Sequence, residues 1–209
     1  VLNNGKTGAV TFIGTVSPAG GNLKEPVTES TKKAARCFYG LEQNRADQKR
    51  YPAVNPIESY SKYLEYPEII SWLDEQVEHG WVANVVKAKN LLRKGREANE
   101  QINILGDDGV PVAYHVSFWK SELIDFVFLQ QDAFDETDAL CPMDRQKYML
   151  DLVLDICDID FDFEDFEKCR EFFKELINDL RQMNYTKFHS EEFENYAKKI
   201  NKLIEDYGK

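Results

Sequence analysis

Apolar residues recur every three or four positions through most of the chain from Pro67 onward. This spacing places them along one face of a helix, and helices with one apolar face pack against each other. The series are Ile70, Leu73, Val77; Val82, Val85, Val86, Leu92; Leu123, Ile124, Val127, Phe128; Met149, Leu152, Val153, Ile156; Phe166, Cys169, Phe173, Leu176, Leu180, Met183; and Phe193, Tyr196, Ile200, Leu203, Tyr207. The pattern predicts a helical bundle, with interruptions at His79-Gly80 and in the loop 106–109 before a helix over residues 121–131.

The first part of the chain has a different pattern. Residues 8–16 are rich in β-branched residues and punctuated by glycine, which predicts a strand buried on both faces and followed by a loop. A lone strand is marginal in water, so this sequence is expected to be cut from something larger. Thr28 is predicted to cap a helix that runs to about Tyr39, and the two prolines in residues 51–56 predict an extended segment or turn.

Composition narrows the classes of partner. The 209 residues include 26 Lys or Arg and 37 Asp or Glu, which gives a net charge of −11, and 43% of the residues are hydrophobic. An anionic surface disfavours a nucleic-acid partner, and the hydrophobic fraction excludes wholesale disorder. No apolar run approaches the roughly 20 residues of a membrane-spanning helix, and no signal peptide opens the chain, so direct membrane insertion is not expected.

No metal site is predicted. The four cysteines form no C-x-x-C pair, and thiols of this kind are expected to pack as small apolar groups in a reducing, cytoplasmic compartment. Residues 158–162 alternate aspartates as a calcium loop does, but Phe163 stands where that loop needs glycine. Asp160 or Asp162 is therefore expected to cap the helix that starts near Phe166.

No catalytic residue is predicted from spacing either. Gly5-Lys6-Thr7 matches the end of a phosphate-binding loop, but a strand is expected after it where that loop needs a helix. No nucleophile has an identifiable base, and the carboxylates are too scattered for a pair to be chosen. Residue chemistry alone leads to a helical bundle with a strand-and-loop leader.

Four sequence blocks carry a more specific signal. They are Gly8-Ala9-Val10-Thr11, residues 16–28 (VSPAGGNLKEPVT), residues 51–61 (YPAVNPIESYS) and residues 128–138 (FLQQDAFDETD). In order and spacing they closely resemble the catalytic A subunit (alpha chain) of V-type and archaeal-type rotary ATPases, over residues 8–140. The block at residues 51–61 is also similar to that of the F-type catalytic beta chain.

The resemblance implies a C-terminal piece of an ATP-driven motor subunit. The implied fold class is mainly α, with a C-terminal helical bundle (residues 62–209) preceded by a strand-and-loop remnant of an α/β nucleotide-binding domain (residues 1–61). It implies an enzyme that couples ATP hydrolysis or synthesis to proton or sodium transport, with ATP or ADP and Mg²⁺ in the full-length subunit. None of these ligands is expected to be held tightly by this chain, because the phosphate-binding loop, the Mg²⁺ ligands and the catalytic glutamate of the family lie outside it.

The resemblance also implies site residues and partners. Tyr51 takes the place of the aromatic residue against which adenine packs, and Phe134 closes the other side of that pocket, although an ordinary core position is the alternative for Phe134. The implied partners are B subunits of the catalytic ring and central stalk subunits, at a cytoplasmic location peripheral to the membrane, while the chain alone is expected to be inactive and monomeric or weakly self-associating. Ala19 and Asn22 stand where family members often carry proline and aspartate, which puts rotor contact of Asn22 in doubt. The rival hypothesis is a stand-alone all-α protein-interaction module, which would have no need of the Tyr51 block.

Overall fold

The computed structural model describes Gly5 and residues 7–207, and helices dominate it. The helices are α1 (Pro26–Ala34), α2 (Gln43–Asp47), α3 (Pro67–Gln76), α4 (Trp81–Leu105), α5 (Val112–Leu123), α6 (Glu136–Ala139), α7 (Met143–Asp158), α8 (Phe166–Asn184) and α9 (Glu191–Tyr207). Strands β1 (Cys37–Phe38) and β2 (Tyr60–Ser61) pair antiparallel, with Cys37 opposite Ser61. The predicted mainly α fold class is confirmed.

The chain divides into two compact units after Arg36. In the first unit the predicted strand at residues 8–16 is wrong, because the segment has no regular secondary structure. Its apolar side chains lie in solvent, with Val10 98% and Phe12 91% exposed. A strand needs a neighbour for its backbone N–H and C=O groups, and none of the described residues pairs with this segment. Lys6, in the Gly5-Lys6-Thr7 turn, lies outside the described residues.

Helix α1 also differs from the expectation. It begins at Pro26 after Glu25, so Thr28 lies inside the first turn, where its hydroxyl donates to Glu25 Oε2 at 3.0 Å. The N–H of the first helical residue has no acceptor within the helix, so proline, which lacks this group, is tolerated there, and its fixed φ suits the helix. This explains why α1 starts at Pro26 and not after Thr28. The helix ends at Ala34, not near Tyr39, because Ala35 is extended.

In the second unit the core lies among the C-terminal helices. The side chains of Cys169, Phe173, Leu176, Leu180 and Met183 on α8 are completely buried, as the periodicity predicted. Burial of each large apolar side chain contributes about 1.5–3 kcal/mol relative to exposure.

The start of α8 shows that the predicted cap was wrong. Asp165 caps the helix by accepting a hydrogen bond from the Lys168 amide at 2.8 Å, and neither Asp160 nor Asp162 has that role. Phe161 and Phe163 are buried, and Phe161 contacts Phe172 with ring centroids 5.0 Å apart. Once these rings enter the core, Asp165 is the acid that remains next to the free amides of the first turn.

The long helices α4 and α5 pack side by side. The interruption before α4 is confirmed, with Gly80 at φ +86°. The predicted start of α5 at residue 121 is wrong, because the helix begins at Val112 after Pro111. It then widens into a π turn over Ile124–Leu129, so the helix predicted over residues 121–131 is the end of a longer one.

Two of the four cysteines have the buried environment that was expected for all of them, whereas Cys37 and Cys141 are half-buried. Cys157 and Cys169 are buried, and burial raises the pKa of each thiol to about 12. A thiol with such a pKa is protonated at neutral pH and unreactive. Within residues 7–207 and Gly5, no group of three His, Cys, Asp or Glu side chains is arranged to hold a metal ion. No helix in that part of the chain is both long and apolar enough to cross a membrane.

Candidate functional site

The second unit contains a cavity of about 710 Å³, within the usual size range of small-molecule sites. Its lining combines aromatic and apolar side chains with a few polar and charged ones. The apolar part includes Tyr51, Pro52, Phe126, Ala133, Phe134 and Tyr185, and the polar part includes Lys49, Gln130, Gln131, Asp132, Asp138 and Arg181.

One wall of the cavity is set by the turn that follows α2. The amide of Lys49 donates to Ala46 O at 2.9 Å and the amide of Arg50 donates to Arg45 O at 2.8 Å, which is the hydrogen-bond pattern of a Schellman helix end. Lys49 adopts φ +57° there, a conformation that costs an L-residue about 1 kcal/mol and that usually selects glycine. The turn leads directly into Tyr51, which is 52% exposed and joined to Pro52 by a cis peptide bond.

A second part of the lining is a short loop held by its own aspartates. Asp132 Oδ1 accepts the Phe134 amide at 2.9 Å, and Asp135 caps α6 by accepting the amides of Thr137 and Asp138. These Asx-type bonds hold the loop in a tight turn. Phe134 stands at its tip with 99% of the side chain exposed, so the alternative of an ordinary core residue is wrong.

A backbone contact joins these two parts of the lining. The amide of Gln131 donates to Tyr51 O at 2.9 Å, which ties the segment after α2 to the segment before α6. Tyr51 and Phe134, both named from the sequence, therefore line the same cavity although 83 positions separate them (134 − 51). Their contact with adenine stays a prediction.

The floor of the cavity comes from the π turn and the end of α8. The wider π turn is closed by the Gln130 amide, which donates to Asp125 O at 2.9 Å; it places Phe126 on the cavity, whereas Asp125 is not part of the lining. π turns are often found at functional sites because they re-aim side chains within a helix. Asn184 at the end of α8 donates to Val127 O at 2.8 Å and fixes the two elements together.

Next to Phe126, which lines the cavity, lies a cluster of four charged residues, which we call the arginine–carboxylate cluster. Arg45 donates to both oxygens of Asp125 at 2.8 and 2.7 Å, and Arg50 donates to Glu122 at 2.9 and 2.8 Å and to Asp125 at 2.6 Å. Burial alone would lower the pKa of Arg50, but Glu122 and Asp125 raise it above its ordinary value. Removing one partner from a buried pair of this kind costs about 3–5 kcal/mol, because the other charge is left uncompensated.

Two further features set the charge of the cavity. Burial raises the pKa of Asp138, whose Oδ2 accepts the Asp132 amide at 2.6 Å. The cations Lys49 and Arg181 line the cavity without a carboxylate partner in the described part of the chain, and Arg181 lies 5.7 Å from the Phe126 ring centroid. The cavity can thus take a flat aromatic group, with cationic side chains at its edge.

The arginine–carboxylate cluster is not evident from the sequence. Its partners lie 72 to 80 positions apart, and arginines and carboxylates are too frequent in this chain for one pair to stand out. One signal was available: Asp125 interrupts the apolar run from Leu123 to Phe128, where an unpaired charge would be costly to bury.

Comparison with family models adds an independent observation. Residues 2–61 match the nucleotide-binding domain of the ATP synthase alpha/beta family, and residues 70–160 match the C-terminal domain of V and A type ATP synthase. The cavity therefore receives Tyr51 from the first matched segment and Phe134 from the second. The domain boundary after residue 61 stays a prediction.

Curated relatives match along nearly the whole chain. The V-type ATP synthase alpha chain of Protochlamydia amoebophila is 38% identical over 208 residues, covering 100% of this chain and 35% of the relative. That of Chlamydia pneumoniae is 41% identical over 202 residues, covering 97% of this chain and 34% of the relative. This chain thus spans about a third of the length of these relatives and matches their C-terminal part.

A solved structure shares the fold. An ATP synthase subunit, NeqB from Nanoarcheaum equitans, superposes with a TM-score of 0.51 at 18% identity, covering 69% of this chain and 33% of that one. At this identity the likeness concerns the fold alone.

Proposed function

We propose, from the premise that the chain belongs to the family of V- and A-type ATP synthase alpha chains, that it supplies the adenine-contacting part of a catalytic A subunit. The complete subunit would couple ATP hydrolysis or synthesis to transport of protons or sodium ions. The observation that carries the proposal is that Tyr51 and Phe134, from separately matched segments, line one cavity.

The proposed contact is stacking of the base between aromatic rings. Tyr51 follows a turn that hydrogen bonds hold in place, and 99% of the Phe134 side chain is exposed and open to a ligand. An aromatic stack contributes about 0.5–1.5 kcal/mol beyond burial. With the phosphates and Mg²⁺ held elsewhere in the subunit, this chain should bind nucleotide weakly and should not turn it over.

The same premise supports the proposed partners. In the assembled enzyme the complete subunit would alternate with B subunits, and the helical domain would contact the central stalk, on the membrane periphery. The rival function is a stand-alone interaction module. It accounts for the helices, but it gives no reason for Tyr51 and Phe134 to line the same cavity.

Adenosine titration of the 209-residue chain, followed by NMR, tests the proposal. We expect saturable binding that Tyr51→Ala and Phe134→Ala each weaken about 2- to 12-fold, the loss of one stack. Tyr51→Phe keeps the ring and should bind as the parent does. Tyr39→Ala, which removes another exposed tyrosine in the same unit, is the matched control and should change nothing. Binding that survives loss of both rings, or its absence in the parent chain, would contradict the proposal.

A further inference from the structure

The arginine–carboxylate cluster lies immediately next to the proposed base contact. Arg50 precedes Tyr51 in the chain, and its guanidinium holds Glu122 through both terminal nitrogens and Asp125 through one of them. The same guanidinium lies 4.5 Å from the ring centroid of Phe126, which lines the cavity. Arg50 is thus in contact with one residue of the cavity and covalently linked to another.

The geometry limits how far the Tyr51 segment can move. A guanidinium is planar and binds carboxylates in a fixed fork, so Arg50 sets both a distance and an orientation relative to α5 and the π turn. Arg50 and Asp125 have side chains 18% and 7% exposed, and little water can replace their mutual contacts. Arg45 fixes the Asp125 carboxylate in turn, because it donates a hydrogen bond to each of its two oxygens.

The backbone contact between Gln131 and Tyr51 acts at the same place. One hydrogen bond at 2.9 Å leaves the Tyr51 segment free to pivot about it, whereas the Arg50 fork supplies a second fixed point. These two anchors act on the backbone and on Arg50, and the long hydrogen bond that the Tyr51 hydroxyl donates to Ala46 O at 3.4 Å adds a weaker restraint on the ring itself. A preorganised ring loses less freedom when a ligand binds.

We propose that Arg50 is a positioning residue for base recognition: it holds the Tyr51 ring in place on the cavity that Phe134 also lines. This inference rests on the proposed function and deepens it. Arg50 contacts no base itself and acts through Tyr51 and Phe126. Charge alone does not suffice for this role, because a lysine ammonium cannot hold two carboxylates in a fixed plane.

The test combines Arg50→Gln and Arg50→Lys with 3-fluorotyrosine incorporated at position 51 alone. We expect Arg50→Gln to shift and narrow the fluorine resonance of the ligand-free chain, as the ring gains freedom, and to weaken adenosine binding by no more than the roughly 2- to 12-fold expected for Tyr51→Ala. The fluorine resonance and the adenosine affinity of Arg50→Lys should both lie closer to those of Arg50→Gln than to those of the parent. The matched control is Arg96→Gln, which breaks an exposed pair with Glu58 at 3.8 Å and should leave both signals unchanged.

The outcomes separate the two proposals. A parent chain that does not bind adenosine refutes the proposed function, and the fluorine resonance then reports alone on whether Arg50 orients Tyr51. A parent chain that binds adenosine, with a folded Arg50→Gln variant that binds equally well or shows an unchanged resonance, overturns the role of Arg50. Should Arg50→Gln fail to fold, Glu122→Gln is measured in its place, because it weakens one arm of the fork and leaves Arg50 bound to Asp125. An unchanged fluorine resonance and unchanged adenosine binding in Glu122→Gln would then overturn the role of Arg50.

Discussion

Asp151 and Glu78 bring two carboxyl groups together where α7 passes the loop between α3 and α4. Burial raises the pKa of Asp151, and the negative charge of Glu78 raises it further, while Lys147 opposes the shift. The Asn84 side chain donates to Asp151 Oδ1 at 3.2 Å, and Lys147 lies 3.3 Å from Glu78. The ionised Asp151 is therefore a destabilising charge in the folded protein.

Asp151→Asn is expected to stabilise the protein at neutral pH. The ordinary pKa of 3.8 applies to the unfolded chain, and the folded pKa is higher. Between the two values the folded state binds more protons, so the free energy of unfolding falls as the pH rises, and above the folded pKa the full penalty remains. Urea denaturation from acidic to neutral pH should show the stabilisation in the variant at neutral pH and its decline as the pH falls.

Asp206→Asn serves as the control for this variant. It removes the same charge from an exposed position on α9 and should leave the pH profile close to that of the parent. A midpoint for Asp151→Asn at or below that of the parent at neutral pH would contradict the expected sign.

The pair α4–α5 depends on one close approach between helices. A Cβ added to Gly95 would lie 2.0 Å from Ser121 Oγ and 2.1 Å from Ser121 Cβ, far inside van der Waals contact. Glycine in a helix interior costs about 1 kcal/mol relative to alanine. At this position the missing side chain lets α5 approach, and α5 leads directly into the π turn beneath the cavity.

Gly95→Ala is expected to lower the free energy of unfolding by about 1–3 kcal/mol, because overpacking outweighs the gain in helix propensity. Chemical denaturation measures the change. Adding Ser121→Gly removes the clashing atoms, so the double variant should be more stable than the sum of the two single effects predicts. Strict additivity would show that the contact does not limit the approach of the helices.

The second unit has a continuous core of its own, and within it the buried residues of α5, α7, α8 and α9 form one cluster. The match to a nucleotide-binding domain covers residues 2–61, and we propose that ring partners of the complete subunit would bind mainly through that domain. A net charge of −11 also makes copies of the chain repel each other at low salt.

We therefore expect a monomeric or weakly self-associating chain. Sedimentation velocity at micromolar concentration should show mainly the mass of a single chain, with at most a slow increase in average mass as the concentration rises. A stable hexamer would mean that these 209 residues carry the assembly surface.

Periodicity by itself determined the helical class and much of the core. The apolar series on α8 and α9 predicted most of the buried residues, with Phe173 and Ile200 completely inaccessible, because the helix repeat is a local property of the backbone. Tyr207, at the end of the α9 series, is 45% exposed. The same reasoning failed where local signals compete. It predicts a strand at residues 8–16, where the structure has no regular secondary structure, and it names Asp160 or Asp162 as the cap where Asp165 has that role.

The cavity was decided by tertiary structure. Family resemblance named Tyr51 and Phe134, but only the folded chain brings both to one cavity and leaves Phe134 exposed. The left-handed Lys49 and the pairing of Arg50 with Glu122 carry no pattern in the sequence. Helix periodicity depends on neighbours three and four positions away, whereas these features depend on contacts between distant segments, which form only when the surrounding helices pack.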